Sequence, residues 1–283
     1  MSMWPSKFEY ERASSVDDAI ARLGGDTKLL AGGHSLIPAL KLRLAQPSKL
    51  VDIGQIEDLK GIEVNGSLEI GALTTHAEIA ASRDVQSMCA ALAYACSIVG
   101  DPQVRNFGTL GGNIAHADPA SDPPTVLVAC DATIHIASTS GSREVKAVDF
   151  FQDLFTTDLL DGELITHVEI PDHSGHRTGY AKMSHPASRY ALVGVCVVLD
   201  MNGNHCNSAA VAVGGATVNA VRCRGAENAL AGNALNDQTL DSAVNALAGD
   251  IGDRLLGDAI YPEHYRAAMA GVYLRRAIEA AMS

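Results

Sequence analysis

Apolar and polar positions along the chain fall into short blocks that switch between helical and strand periods. Ser14-Ser15-Val16-Asp17-Asp18 predicts a helix start, because small hydroxyls cap orphan N–H groups and early acids suit the positive helix end. Ala19, Ile20 and Leu23 form its apolar face, and Gly24-Gly25 stops it. Residues 28–31 read as a strand running into a glycine pair. The following LIPALKLRLA reads as a helix with Pro38 in its first turn, and residues 50–53 as a strand. Residues 67–71 alternate as a strand, and Thr75-His76-Ala77-Glu78 has capping-box spacing. Residues 85–99 predict one mostly apolar helix ended by Gly100-Asp101-Pro102, followed by a glycine-rich loop over 107–124. The segment 125–138 fits helix or strand. From about residue 174 the character changes: 193–199 and 209–213 are strand-like, while 226–248 and 264–282 read as alanine-rich amphipathic helices. Strands and helices do not alternate regularly, so the pattern predicts an α+β fold rather than a doubly wound sheet.

Composition narrows the function classes. With 47% apolar and 19% charged residues, the 283-residue chain is globular and long enough for two or three sub-domains. A formal charge of −12 argues against nucleic acid as a partner, since neutralising phosphates requires clustered Lys and Arg. No apolar run reaches the roughly 20 residues of a membrane span. The segment MSMWPSKFEYERASS lacks a secretory apolar core, so a cytoplasmic location is expected. The six cysteines form no CxxC pair and mostly sit in apolar surroundings, which predicts buried, reduced thiols rather than a metal or iron–sulfur site.

Two glycine-rich segments carry the candidate chemistry. The first is Ala31-Gly32-Gly33-His34-Ser35, flanked by Leu30 and Leu36; the second is Thr109-Leu110-Gly111-Gly112-Asn113. Glycines let backbone N–H groups approach a ligand closely, and Ser35, Thr109 and Asn113 add side-chain hydrogen bonds. Neither segment spells Gly-x-Gly-x-x-Gly or a P-loop. A glycine pair can equally be a plain turn. As two backbone nests without basic residues they suit a pyrophosphate, with Asp122 placed for a ribose or ribityl hydroxyl. A metal reading of His116, Asp118 and Asp122 is the weaker alternative, because Asp in such loops usually caps turns. His34 fits either a ligand contact or a structural hydrogen bond. On this reading Gly111→Val or Gly33→Val should abolish ligand retention and leave the chain folded.

These residues resemble the paired FAD motifs of the molybdenum hydroxylase flavoprotein subunits, a family that includes carbon monoxide dehydrogenase medium subunits and the xanthine dehydrogenase FAD domain. The resemblance continues through LIPALKLRLAQPSKLVDIG, DPQVRNFGTLGGNIAHADPASDPP, GELITHVEIP, YAKMSHPASRYALVGV and EHYRAAMAGVYLRRAI, nearly the whole chain. It implies a vanillyl-alcohol-oxidase-type FAD-binding domain of two sub-domains, residues 1–56 and 57–173, followed by a C-terminal α+β domain, residues 174–283. It also implies non-covalent FAD, with the glycine segments on the pyrophosphate and Asp122 as a further cofactor ligand. Ile165 then lines the flavin pocket, Lys182 stands near the flavin, and Tyr190 lies close to its ring. Leu110 departs from the commoner isoleucine by an apolar swap. No residue is expected to act as a catalytic acid or base, since the cofactor carries the chemistry. The implied partners are a small [2Fe–2S] subunit and a large molybdopterin subunit, as a dimer of heterotrimers, with an external electron acceptor. The rival readings are a flavoprotein subunit of an aldehyde or N-heterocycle/xanthine-type dehydrogenase, a stand-alone FAD oxidoreductase of the same fold, and a non-catalytic assembly subunit without FAD.

Overall fold

The computed structural model describes residues 4–283. Its first unit is a three-stranded parallel sheet in which Lys49–Asp52 lies between Glu9–Arg12 and Thr27–Leu30. Parallel pairing requires crossovers, and the helices Val16–Arg22 and Leu36–Lys41 supply them. Ser15 caps the first of these by accepting from the Asp18 N–H, as the Ser-Val-Asp pattern predicts. The glycine pair at 32–33 therefore leaves the end of a strand and enters a helix.

A five-stranded antiparallel sheet follows, in the order Ile62–Val64, Ser67–Gly71, Leu164–Pro171, Thr133–Ser138, Gly141–Lys146. Leu68, Ile70, Ile134 and Val168 on one face join Leu92, Leu110, Ile114 and Leu127 from the helices in one buried cluster. The capping box is present at His76–Ala81: Thr75 accepts from the Glu78 N–H while the Glu78 carboxylate accepts from the Thr75 N–H.

The C-terminal sheet runs Arg177–Ser184, Ala191–Asn202, His205–Gly214, Val221–Arg222, with Asn233–Ala234 paired to His205–Gly214. Ala191–Asn202 is a central strand covered on both sides, hence its continuous apolar run. Val193, Val195 and Val197 pack with residues of the helices Asp237–Ile251 and Glu263–Met282. Cys196 and Val198 instead join the core that includes helix Asp122–Ala129. The second and third units thus share a core across this strand.

Three predicted boundaries differ. The single helix expected over 85–99 is two, Arg83–Met88 and Ala90–Ser97, broken at Cys89, whose backbone leaves the helical region. Ser82 caps the first piece through the Val85 N–H, a signal masked by the apolar run. The helix expected over 226–248 is likewise two, Arg224–Leu230 and Asp237–Ile251, with Gly232 at φ 74° between them and Asn236 capping the second. The loop expected over 107–124 contains the helix Leu110–His116 and the start of Asp122–Ala129. Thr109 caps the former, and Ala117 ends it in the left-handed region at φ 49°.

Candidate functional site

The first glycine segment is built for close approach. Gly33 sits at φ 74°, and a Cβ there would lie 2.7 Å from Ile37 Cδ1 and 3.3 Å from Leu30 Cδ1. A Cβ on Gly32 would collide with the Phe107 carbonyl oxygen, so this turn touches the residues just before the second segment. The backbone N–H groups of Gly32, Gly33, His34, Ser35 and Leu36 meet no acceptor among the described residues. A run of free donors around a left-handed glycine can serve as a nest for an anion. His34 Nδ1 donates to the Gly32 carbonyl at 3.0 Å, and its ring stacks on Phe107 at 5.6 Å and 16°. The structure thus gives His34 a structural role, closing the turn and resting it on the second segment's approach.

The second segment is not a nest, which corrects the expectation of two equivalent clamps. The Leu110 N–H donates to Thr74, the Gly111 N–H to Ala72 at 2.8 Å, and the Gly112 N–H to Thr109 Oγ1. Its glycines serve packing: a Cβ on Gly111 would sit 2.5 Å from Ala72 Cβ, and one on Gly112 would sit 2.8 Å from the capping Thr109 Oγ1. Gly111→Val would therefore disrupt the core, contrary to the expectation of a folded variant. What this segment offers is Asn113. Its Nδ2 donates to Ser121 Oγ at 3.0 Å, while its Oδ1 is buried without a hydrogen-bond partner. Leaving a buried carbonyl unsatisfied costs about 1–3 kcal/mol, so the site calls for a donor from outside the chain.

Asp122 and Lys182 come together in the seam between helix Asp122–Ala129 and strand Arg177–Ser184. Lys182 Nζ donates to Asp122 Oδ2 at 2.9 Å and to the Ile98 carbonyl at 3.1 Å, with both charged side chains at least 95% buried. Tyr180 donates its hydroxyl to Asp122 Oδ1 at 2.6 Å. Burial pushes the Asp122 carboxyl up, while Lys182 and Tyr180 pull it back. Burial and the neighbouring Asp122 hold the Tyr180 phenol well above its ordinary value. Tyr180 escaped sequence reasoning. The signal for it was its place two residues before Lys182 on one strand, which puts both side chains on one face.

Tyr190 lies in the turn between the first two strands of the C-terminal sheet and is 45% exposed. That turn is tied down by the Ala191 N–H donating to Ala120 and by Arg189 donating to the Gly100 carbonyl. Ile165 is buried beside a register shift at Ile165/His167, and the next residue, Thr166, accepts from the Ala72 N–H. Strand Leu164–Pro171 thus touches the residue that also receives Gly111. Leu30 and Leu36 are half-buried at either end of the first turn. His116, Asp118 and Asp122 are engaged separately: His116 with Phe155, Asp118 with the Ala120 N–H, Asp122 with Lys182. Among the described residues no group of His, Cys, Asp and Glu is placed to hold a metal ion.

Residues 6–173 match the family model described as the FAD binding domain in molybdopterin dehydrogenase. The chain belongs to that family. Residues 178–281 match the CO dehydrogenase flavoprotein C-terminal domain. The chain is similar to the carbon monoxide dehydrogenase medium chain of Hydrogenophaga pseudoflava, 37% identical over 99% of this chain and 98% of that one. It is also similar to the glyceraldehyde dehydrogenase medium chain of Sulfolobus acidocaldarius, 44% identical over 75% of this chain and 77% of the relative. A solved structure of Cu,Mo-CO dehydrogenase superposes with a TM-score of 0.94 at 37% identity, covering 98% of each chain. Quinoline 2-oxidoreductase from Pseudomonas putida 86 gives 0.92 at 31% identity, again covering 98% of each. As a member of this family the chain is an oxidoreductase subunit with an FAD-binding domain and a C-terminal domain. The residues present fit FAD: the donor nest suits a pyrophosphate, and the orphaned Asn113 Oδ1 suits a cofactor hydroxyl or N–H.

Proposed function

We propose that this chain is the FAD-carrying electron-transfer subunit of a molybdenum hydroxylase. It would take electrons from a [2Fe–2S] subunit and pass them to an external acceptor: a quinone, NAD⁺, oxygen or a carrier protein. The observation that carries the reading is the free run of N–H donors at Gly32 to Leu36, together with the unpartnered Asn113 Oδ1, in a chain of this family. The nest binds the pyrophosphate, aided by Ala31 and Ser35. Thr109, Leu110, Gly111 and Gly112 fix Asn113 as acceptor. Leu30, Leu36 and Ile165 supply apolar walls, and Tyr190 shields the ring. Lys182, held by Asp122, sets positive charge near the flavin, which favours its reduced anionic form. Bound non-covalently, FAD supplies the redox chemistry, so no side chain need act as acid or base. The large molybdopterin subunit would hold the site of substrate oxidation, in a dimer of heterotrimers. The division at 56/57 and 173/174 and a cytoplasmic location belong to the same proposal; no helix of the described residues is long and apolar enough to cross a membrane.

Carbon monoxide is the substrate we carry over from the medium chains matched over 99% of this chain. An aldehyde is the second reading, favoured by the 44% identity to a glyceraldehyde dehydrogenase chain. Titrating FAD into the purified chain should give one flavin per chain with a perturbed visible spectrum; a correctly folded chain that takes up none would refute the proposal. Co-expression with large and small subunits, assayed with carbon monoxide and with glyceraldehyde, separates the two substrates. Reduction of the isolated flavoprotein by an organic substrate would support the stand-alone enzyme instead.

A further inference from the structure

Side chains of the C-terminal sheet hold Asp122, and its chain neighbour Ser121 is hydrogen-bonded to Asn113. Tyr180 Oη and Lys182 Nζ each hold one oxygen of Asp122, the first residue of helix Asp122–Ala129. The residue before it, Ser121, leaves the helix N-terminus uncapped by its side chain. Its Oγ instead accepts from Asn113 Nδ2 at 3.0 Å. That bond holds the Asn113 side chain beside Ser121, and its Oδ1 is buried and unpaired. Tyr180 itself has a prepared seat. Gly194, directly across from Lys182 in the strand pair, lies beneath its hydroxyl, and a Cβ there would collide with Oη. Only the bare glycine lets the phenol reach Asp122.

We infer that Tyr180 is a positioning residue for the flavin cradle: by locking Asp122, and through it Ser121, it orients the unpartnered carbonyl of Asn113 toward the cofactor. The inference rests on the FAD-binding reading above. It makes a strand of the C-terminal domain a working support of the FAD-binding domain. The phenol touches no cofactor atom in this scheme; it acts through a charged hydrogen bond of the strong class.

Tyr180→Phe removes one oxygen and keeps the ring that fills the core. FAD titration into the full-length chain, followed by flavin fluorescence, should show affinity about tenfold weaker than wild type. In an Asn113→Ala background the same Tyr180→Phe change should produce no further loss, because the acceptor it orients is gone. Gly194→Ala, which displaces the hydroxyl while leaving Tyr180 in place, should weaken binding in the same direction. A melting curve of each apo chain, recorded below its transition at the assay temperature, establishes that folded protein is being titrated. Unchanged affinity in folded Tyr180→Phe overturns the inference. So does an equal loss in both backgrounds, which would place the effect of Tyr180 elsewhere. A wild-type chain that binds no FAD sinks the parent reading as well, and is distinguishable because the failure is already present before any substitution.

Discussion

At the residue scale the proposed cradle depends on what the backbone leaves free. Two glycine pairs look alike in sequence, yet one keeps its N–H groups unpaired and the other donates them to the Ala72 carbonyl and Thr109 Oγ1. Gly33 occupies a left-handed conformation that a β-carbon disfavours by about 1–2 kcal/mol. Gly33→Ala should also press on Ile37, opening the turn that gathers the donors. The expected result is a chain that folds with slightly lowered stability and binds FAD at least tenfold more weakly, read by flavin retained through gel filtration. Wild-type retention would show that the nest is elsewhere.

At the element scale, short helices are fixed by caps and by what their first turns bury. His76 lies in the first turn of His76–Ala81, its imidazole enclosed near Cys96 and Gly108, and burial pulls it down from its ordinary 6.5 to about 4. The unfolded chain therefore binds a proton that the folded chain refuses. Stability from this residue is fully present above about pH 6.5 and is lost as pH falls toward 4. Between pH 7 and pH 5 the loss should be roughly 2 kcal/mol. Urea unfolding of wild type and His76→Gln at both pH values isolates it: the variant should lack that part of the acid sensitivity. Equal slopes would place the proton elsewhere.

At the scale of the whole molecule, the seam between FAD-binding and C-terminal domains is held by buried charge as well as by apolar packing. Lys182 and Asp122 sit on opposite sides of it, 60 residues apart in sequence. Arg222 crosses nearby, donating to the Val128 carbonyl and pairing with Asp131 and with buried Glu227. Removing one member of a buried pair leaves the other uncompensated, at a cost of about 3–5 kcal/mol. Lys182→Met should lower the melting temperature of the apo chain markedly, and adding Asp122→Asn should recover much of that loss. A neutral single variant would mean that water already reaches the pair.

Much of this was legible along the chain. The Thr75–Glu78 capping box, the Ser15 cap, the apolar central strand and both glycine segments are local features, set by residues within a few positions of one another. Local sterics and capping bonds act on any chain that carries those letters, which is why spacing alone revealed them. The fate of each N–H was not legible, because Ala72 and Thr74 reach the second glycine segment only through the fold. Nor were the stacking of His34 on Phe107 and the hold of Tyr180 on Asp122, pairs separated by many residues and joined only by packing. Sequence determined where backbone could approach a ligand; tertiary structure decided which donors and acceptors remained unpaired to meet it, since a hydrogen-bonding group is free only when every neighbour in space has been counted.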